Sequence, residues 1–502
     1  MPGDTESPRT PVHLVVLLHG LYGAPANLWC LEAEARALHA ELREGSGGAS
    51  GDAKARSDDD DDAAVTAPQL AVLVAKSYVG QRTWDGIDVN AHRAADEVSP
   101  MANGHGDDVA DVQIDEEIAR LDAEGKDVVA FSVTGYSLGG LIARALIGHL
   151  HARSPSFFTT HRPASFSTIA TPHLGVLRYG SWKNTAVHAI GQHLFSRTGR
   201  HLYLLDTDKA LPKRGKNRPL LAVLTDPESV YLAALRLFPS VTIIANGVND
   251  LTVPYPTAAI ADHDPFIEHE AGAVCVEVDE RNIVTRHYVH DADVDEVEAV
   301  VEEDNESKEQ PTVSPAKALP KAVRPWLPPV FFLPWRGPLR YALFPLIPFL
   351  LPVVLTFIAV TFTLHSFQSA ERIRLHSSSG TRRLLHGLTH PHDDDDGKDE
   401  DEAANDDDAA NGAGTPALAP QSGATQPILS PDQRAMIRNL SAVPQLERVV
   451  AWFPAVFNSH ATIVARNANL PRFAFQTQGI PVVRAWARTV VAAGDGVLRK
   501  QE

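Results

Sequence analysis

The sequence predicts an α/β protein, a mostly parallel sheet with helices on both faces. Three observations carry this. Short apolar, β-branched runs alternate with stretches of helical spacing through the first half of the chain. These runs are nearly continuous in apolar residues, as strands buried on both faces require. One of them passes straight into a glycine-rich turn, GYSLGG, and from there into a helical stretch.

Taken in order, residues 12–18 (VHLVVLL) read as the first strand, ending at His19-Gly20. Residues 27–38 have helical spacing. Residues 45–67 are rich in Gly, Ser and Asp and are expected to be a disordered insertion. Residues 70–75 form a second strand. Residues 111–124 are helical, with Ile114, Ile118 and Leu121 on one face. Residues 127–134 (DVVAFSVT) are a third strand, 138–151 a helix, 166–170 a fourth strand and 241–245 a fifth. From about residue 310 prolines crowd in. Residues 377–431 read as an acidic disordered linker. Apolar periodicity returns after Asp432 and ends in a helix near 480–498. The expected organisation is an α/β domain over 1–310, a proline-rich apolar segment over 311–376, the linker over 377–431, and a completion of the first domain over 432–502.

The chain has 502 residues, 44% of them hydrophobic, and a net charge of −18. That charge is local. Residues 58–62 are five aspartates, 291–310 carry ten acidic residues and one Lys, and 393–408 carry eleven and one Lys. Together these runs hold −24, so the rest of the chain holds +6. Such runs repel themselves and cannot bury a core. No basic cluster with interleaved aromatics is present, which excludes nucleic acid as the expected partner. Two cysteines, Cys30 and Cys275, rule out a disulfide framework and suit a reducing compartment. The opening residues MPGDTESPRT hold no apolar run, so no secretory leader is expected.

Ser137 stands in the pattern G-x-S-x-G, between a strand and a helix. That context suits a nucleophile held on a sharp turn above the sheet edge. Gly135 and Gly139 remove the Cβ atoms that would clash in the turn, and Gly140 lets the helix pack closely. The Leu138 N–H would lie at the helix N-terminus, where the dipole favours an oxyanion. A second oxyanion donor is expected from the loop after the first strand, and Leu21 N–H in LLHGLYG is the candidate. His19 there is expected to orient the loop. The acid should follow the serine after a later strand, and Asp250 in VTIIANGVNDLTVP fits. For the base, spacing alone makes His287 and His290 attractive, 37 and 40 residues beyond Asp250. His460 lies 210 residues on, in an apolar stretch before the last helix.

Six stretches taken together resemble the serine esterase family of α/β-hydrolases, in particular its fungal members that look like lipid-droplet phospholipases. They are LLHGLYGAPANL, TWDGIDV, GYSLGGLIAR, ATPHLG, NGVNDLTVPYPTAAI and NSHATIVAR. The family elbow usually has His before the serine, where this chain has Tyr136. The resemblance implies an α/β-hydrolase fold, interrupted here by an apolar membrane-associating insertion and acidic disordered linkers. It implies Ser137 as nucleophile, Asp250 as acid and His460, over His287 and His290, as base. His173 and Asp85 lie in matching stretches with no catalytic role assigned, and both are expected to be structural. Such a triad works through an acyl-enzyme and needs no metal or cofactor.

Residues 341–364 are 24 uncharged residues with fifteen Leu, Ile, Phe or Val. As a helix they would reach about 36 Å, against a hydrocarbon core of ~30 Å. Pro345, Pro348 and Pro352 offset much of the insertion energy, at ~3 kcal/mol each. A proline-free helix over 353–364 would be only about 18 Å long. Arg336 and Arg340 precede the segment, and Arg372, Arg374, Arg382 and Arg383 follow it. Positive charge on both sides favours a re-entrant hairpin over a spanning helix. Trp326 and Trp335 suit an interface. The expected partners are therefore a glycerolipid substrate and a membrane or lipid-droplet surface, on a droplet or the cytoplasmic face of the endoplasmic reticulum. The expected activity is a lipase or phospholipase. The alternatives are a lipid-surface tether with a vestigial hydrolase fold, or a lipid acyltransferase.

Overall fold

Strand β1, Thr10–Leu18, is buried on both of its faces. Val12, Leu14, Val16 and Leu18 enter one core. Val15 and Leu17 enter the other. The period of two is therefore hidden in the sequence, where the strand reads as one apolar run. The computed structural model describes residues 9–47, 68–95, 114–180, 191, 195–206, 212–213, 216–267, 269, 274–289, 347–376 and 426–499.

Five more strands join β1: β2 (Gln69–Val74), β3 (Lys126–Tyr136), β4 (Arg162–Ile169), β5 (Ser240–Asn246) and β6 (Leu446–Ala451). Their order is β6-β5-β4-β3-β1-β2, and every pairing is parallel. Helix α1 (Trp29–Gly47) covers one face. Helices α2 (Ile87–Ala95), α3 (Ile114–Ala123), α4 (Leu138–His151) and α5 (Val230–Arg236) cover the other. After α6 (Ile347–His376), α7 (Pro431–Ser441) joins that second face, and α8 (Ile480–Arg499) returns beside α1. This is the α/β-hydrolase arrangement that the sequence predicts.

The chain leaves β1 toward β2 and comes back to β3 on the opposite side of β1. Such a reversal opens a crevice beyond the carboxyl ends of the two strands, where α/β sheets place their ligands. Leu18 pairs with Gly135, so the loop after β1 and the turn after β3 emerge side by side.

The chain forms two compact units, Met1–Val289 with His365–Glu502, and His290–Leu364. Residues 365–376 thus belong to the unit that holds the sheet, whereas the apolar segment was drawn from sequence as running to 376. The described part of the second unit is helix, the first half of α6. Pro348 and Pro352 do not break α6, so the helix starts before 353 and the chain does not reverse within residues 347–364. Pro348 is the second residue of the helix, where an N–H has no intrahelical partner to lose. Among the described residues no helix is long and apolar enough to cross a membrane. Residues 48–67, 291–346 and 377–425, with Trp326, Trp335, Arg336, Arg340, Arg382 and Arg383, lie outside the described residues.

Two further details depart from the sequence reading. Helix α1 runs on to Gly47, into the stretch read as an insertion. Strand β6, LERVVA, has no counterpart in the sequence reading. It is an edge strand with Glu447 and Arg448 exposed, so its apolar signal is weak.

Candidate active site

Ser137 sits between the end of β3 and the start of α4, with φ 56° and ψ −128°. A non-glycine residue in that region is strained, and the surroundings must hold it. Two glycines make the turn sterically possible. A Cβ on Gly135 would come within 2.4 Å of the Gly139 backbone. A Cβ on Gly139 would come within 2.2 Å of the Leu18 carbonyl oxygen. With Gly139 bare, α4 begins directly over the end of β1. Gly140 packs likewise on Thr171. The Ser137 N–H donates to Ile169 O at 2.8 Å, which ties the turn to β4.

The structure brings Ser137, His460 and Asp250 into one hydrogen-bonded chain. His460 Nε2 lies 3.1 Å from Ser137 Oγ, and His460 Nδ1 lies 2.9 Å from Asp250 Oδ2. Ser137 and His460 are 8% and 7% exposed, so both are largely shielded from bulk water. Asp250 follows β5. Its Oδ1 accepts the Thr252 and Val253 N–H groups at 2.9 and 2.8 Å, and its Oδ2 also accepts from Asn246 Nδ2 at 2.8 Å. Four donors, His460 among them, thus fix the orientation of this carboxylate.

His460 follows β6, on a loop stitched to the loop that carries Asp250. Ser459 N–H donates to Asn249 O at 2.9 Å, and Ser459 Oγ donates to Val248 O at 2.7 Å. Asn249 Nδ2 reaches back to Phe453 O and Pro454 O. The small Ser459 beside the histidine is what lets the two loops touch.

Tyr136 has a role the sequence did not reveal. Its hydroxyl donates to His460 O at 2.8 Å and accepts from Arg466 Nη2 at 2.5 Å. Its ring lies 5.1 Å from the His460 ring, and the Arg466 guanidinium covers it at 5.2 Å. Burial pushes the phenol pKa up, so it stays a neutral donor. Tyr136 therefore grips the loop carrying His460 from beneath. Asn246 is the other missed residue. A strand-end Asn four residues before a turn Asp has no signal of its own in sequence.

The two candidate oxyanion donors flank Ser137. Leu138 is the first residue of α4. Leu21 follows Gly20, whose position is set by the serine itself: a Cβ there would lie 2.7 Å from Ser137 Cβ and 3.1 Å from its Oγ. His19 is fully buried, with Nδ1 3.1 Å from Gly20 O and its ring 4.5 Å from Tyr78. Burial holds its imidazole down to about 4, so it is neutral at physiological pH. His173 is buried too, with Nε2 2.9 Å from Thr168 Oγ1. His287 lies on an exposed hairpin strand, Val284–Val289, against Phe266. His290 is outside the described residues. Among the described residues no group of three or more His, Cys, Asp or Glu is placed to hold a metal ion.

Comparison with known proteins agrees with this geometry at the level of family. Residues 8–262 match the family described as "Putative serine esterase (DUF676)". A "Putative lipase C4A8.10" of Schizosaccharomyces pombe is 32% identical over 130 residues, 26% of this chain and 16% of that protein. A "Putative lipase ROG1" of Saccharomyces cerevisiae is 30% identical over 149 residues, 29% of this chain and 20% of that protein. The chain thus spans a fifth or less of the length of these relatives. The family match contains Ser137 and Asp250 and ends well before His460. The chain belongs to this serine esterase family.

Proposed function

We propose that this member of the serine esterase family is a lipase or phospholipase that cleaves carboxylic esters of glycerolipids at a membrane or lipid-droplet surface. The observation that carries the proposal is the chain Ser137 Oγ, His460 Nε2, His460 Nδ1, Asp250 Oδ2, with links of 3.1 and 2.9 Å. In the proposed reaction Ser137 Oγ attacks the ester carbonyl carbon and His460 Nε2 takes its proton. Asp250 holds the imidazole and stabilises its charge. The Leu21 and Leu138 N–H groups face the tetrahedral oxyanion. The lipid alcohol leaves with the proton from His460. Water then attacks the acyl-enzyme, gives a proton to His460, and releases the fatty acid as Ser137 recovers its hydrogen.

Two features support a lipid substrate. Tyr22, Leu251 and Phe457 are 47%, 58% and 67% exposed, and each belongs to a loop that carries one member of the site. Residues 341–364 are uncharged and have arginines on both sides. That composition favours the cytoplasmic side of a membrane, and so a droplet or the endoplasmic reticulum face. Incubating the purified chain with phospholipids and acylglycerols, beside Ser137→Ala, tests the reaction. Free fatty acid with the matching lyso-lipid or lower acylglycerol is expected from the wild type alone. Equal release by both proteins rejects the proposal, and acyl groups appearing on an added alcohol recast it as acyl transfer. Deleting residues 325–364 should free the protein from the membrane fraction, and unchanged retention rejects that attachment.

A further inference from the structure

Asp85 is fully buried, and nothing in the proposed reaction uses it. Its carboxylate is nevertheless held by two guanidinium groups. Arg93, on α2, donates from Nη1 to Oδ2 at 2.8 Å. Arg372, near the end of α6, donates from Nε to Oδ2 at 2.9 Å and from Nη2 to Oδ1 at 2.7 Å. The second pair is bidentate, the strongest geometry open to these groups. Asp85 caps a short 3₁₀ turn, Gly80–Trp84, and α6 grips that turn twice more. Arg372 Nη2 donates to Gln81 O at 3.3 Å, and His365 Nε2 lies 2.8 Å from Gln81 Nε2.

The other side of the same turn holds the loop after β1. Thr83 Oγ1 accepts the Tyr22 N–H at 3.1 Å and donates to Gly80 O at 2.6 Å. Gly80 N–H donates to Gly23 O at 3.0 Å. Trp84 meets the Tyr22 ring edge-on at 5.3 Å. Tyr22 has φ 53°, a left-handed backbone that a bulky residue keeps only when its neighbours impose it. The preceding residue is Leu21, and the one before that, Gly20, touches Ser137.

We propose that Arg372 is a positioning residue for the esterase site. By clamping Asp85 it fixes the Gly80–Trp84 turn, and through Thr83 that turn sets the angle of the Leu21 N–H toward the developing oxyanion. This rests on the esterase function proposed above and adds its control by α6, a helix whose first residues are the apolar ones. A donor that is misaimed loses force steeply with angle, and deleting one oxyanion donor outright costs 10²–10³ in kcat in a comparable enzyme. Loosening the loop without deleting the donor is expected to cost about 10-fold.

The test uses the full-length chain and a short soluble ester, p-nitrophenyl butyrate, with active sites counted by the end-point of fluorophosphonate labelling. Arg372→Ala is expected to lower kcat per labelled site about 10-fold with KM within about 2-fold. Arg372→Lys should recover part of the loss. Arg374→Ala, which removes an exposed partner of Glu371 two residues away, should match the wild type. Hydrogen exchange of peptides covering residues 19–24 should quicken in Arg372→Ala and not in Arg374→Ala. If Arg372→Ala does not fold, Arg372→Lys carries both measurements, with the same direction expected and a smaller size. Unchanged kcat and unchanged exchange overturn the proposal, as does a loss shared by Arg374→Ala or confined to KM. If the wild type neither turns over the ester nor takes the label, the esterase function fails, and the exchange comparison still decides the clamp.

Discussion

Two Ser–His hydrogen bonds lie within or just beyond strand β3. Ser132 Oγ lies 2.8 Å from His13 Nε2, shorter than the 3.1 Å between Ser137 Oγ and His460 Nε2. The shorter pair lacks everything else a nucleophile needs. Ser132 is mid-strand, fully buried, and shares its hydroxyl with the Ser165 hydroxyl and N–H at 2.9 and 3.1 Å. The far nitrogen of His13 faces α8 at Gly494, where an added Cβ would lie only 2.1 Å from Nδ1. Among the described residues no carboxylate is hydrogen-bonded to it, and burial pushes its imidazole down to about 3, so it cannot take a proton near neutrality. Ser137 instead stands on a strained turn at the strand end, at the start of α4, with a histidine whose other nitrogen meets the Asp250 carboxylate. Distance between serine and histidine does not make a nucleophile. Position on the turn beyond the strand end and the third residue do.

The comparison breaks most sharply at Ser137 and His460. Replacing either with Ala should lower kcat on any ester substrate by about 10⁴–10⁶-fold, measured against a folded protein of unchanged circular dichroism. Asp250→Asn keeps the shape and loses the charge, and about 10⁴-fold is expected, the size seen when the orienting carboxylate of a serine triad is neutralised. Tyr136→Phe removes the hydroxyl under His460. A kcat loss of about 5-fold with ~1 kcal/mol of stability is expected, read by steady-state kinetics beside urea unfolding. Ser132→Ala should leave kcat within about 2-fold and change stability by ~1 kcal/mol. A large kcat loss there would erase the distinction between the two pairs.

The inner pair shows itself in stability instead. The His13 pKa is lowered on folding, so the unfolded chain binds the proton that the folded chain refuses. Its contribution is fully present above about 6.5 and is lost as pH falls from there toward 3. Over that window each pH unit costs ~1.4 kcal/mol for this one group. In His13→Leu, urea unfolding should depend less steeply on pH between 6.5 and 4 than in the wild type. An unchanged slope would show that His13 titrates normally.

Much of the sheet was legible because its inner strands are short apolar runs and the turn after β3 needs glycines. Strand β6 was not, because Glu447 and Arg448 on an edge strand dilute its pattern. His460 could not be singled out by spacing. It lies 210 positions beyond Asp250, the interval holds the whole second unit, and nearer histidines competed. The resemblance pointed to it, and the parallel pairing of β6 with β5 is what carries its loop to Asp250. Tyr136, Asn246 and Arg372 stayed hidden for a shared reason. Each acts on a partner fixed by tertiary packing, and local sequence holds no trace of a contact such as Arg372 with Asp85, 287 residues apart.

The central claim is that Ser137, activated by His460, is the nucleophile of this chain. Its most direct test is to label the wild type and His460→Ala with a fluorophosphonate probe and to map the adduct by peptide mass. The account predicts one adduct in the wild type, on the peptide containing Ser137, and a labelling rate in His460→Ala lower by orders of magnitude. An adduct on Ser132 or on any other serine, or equal rates in the two proteins, would contradict it.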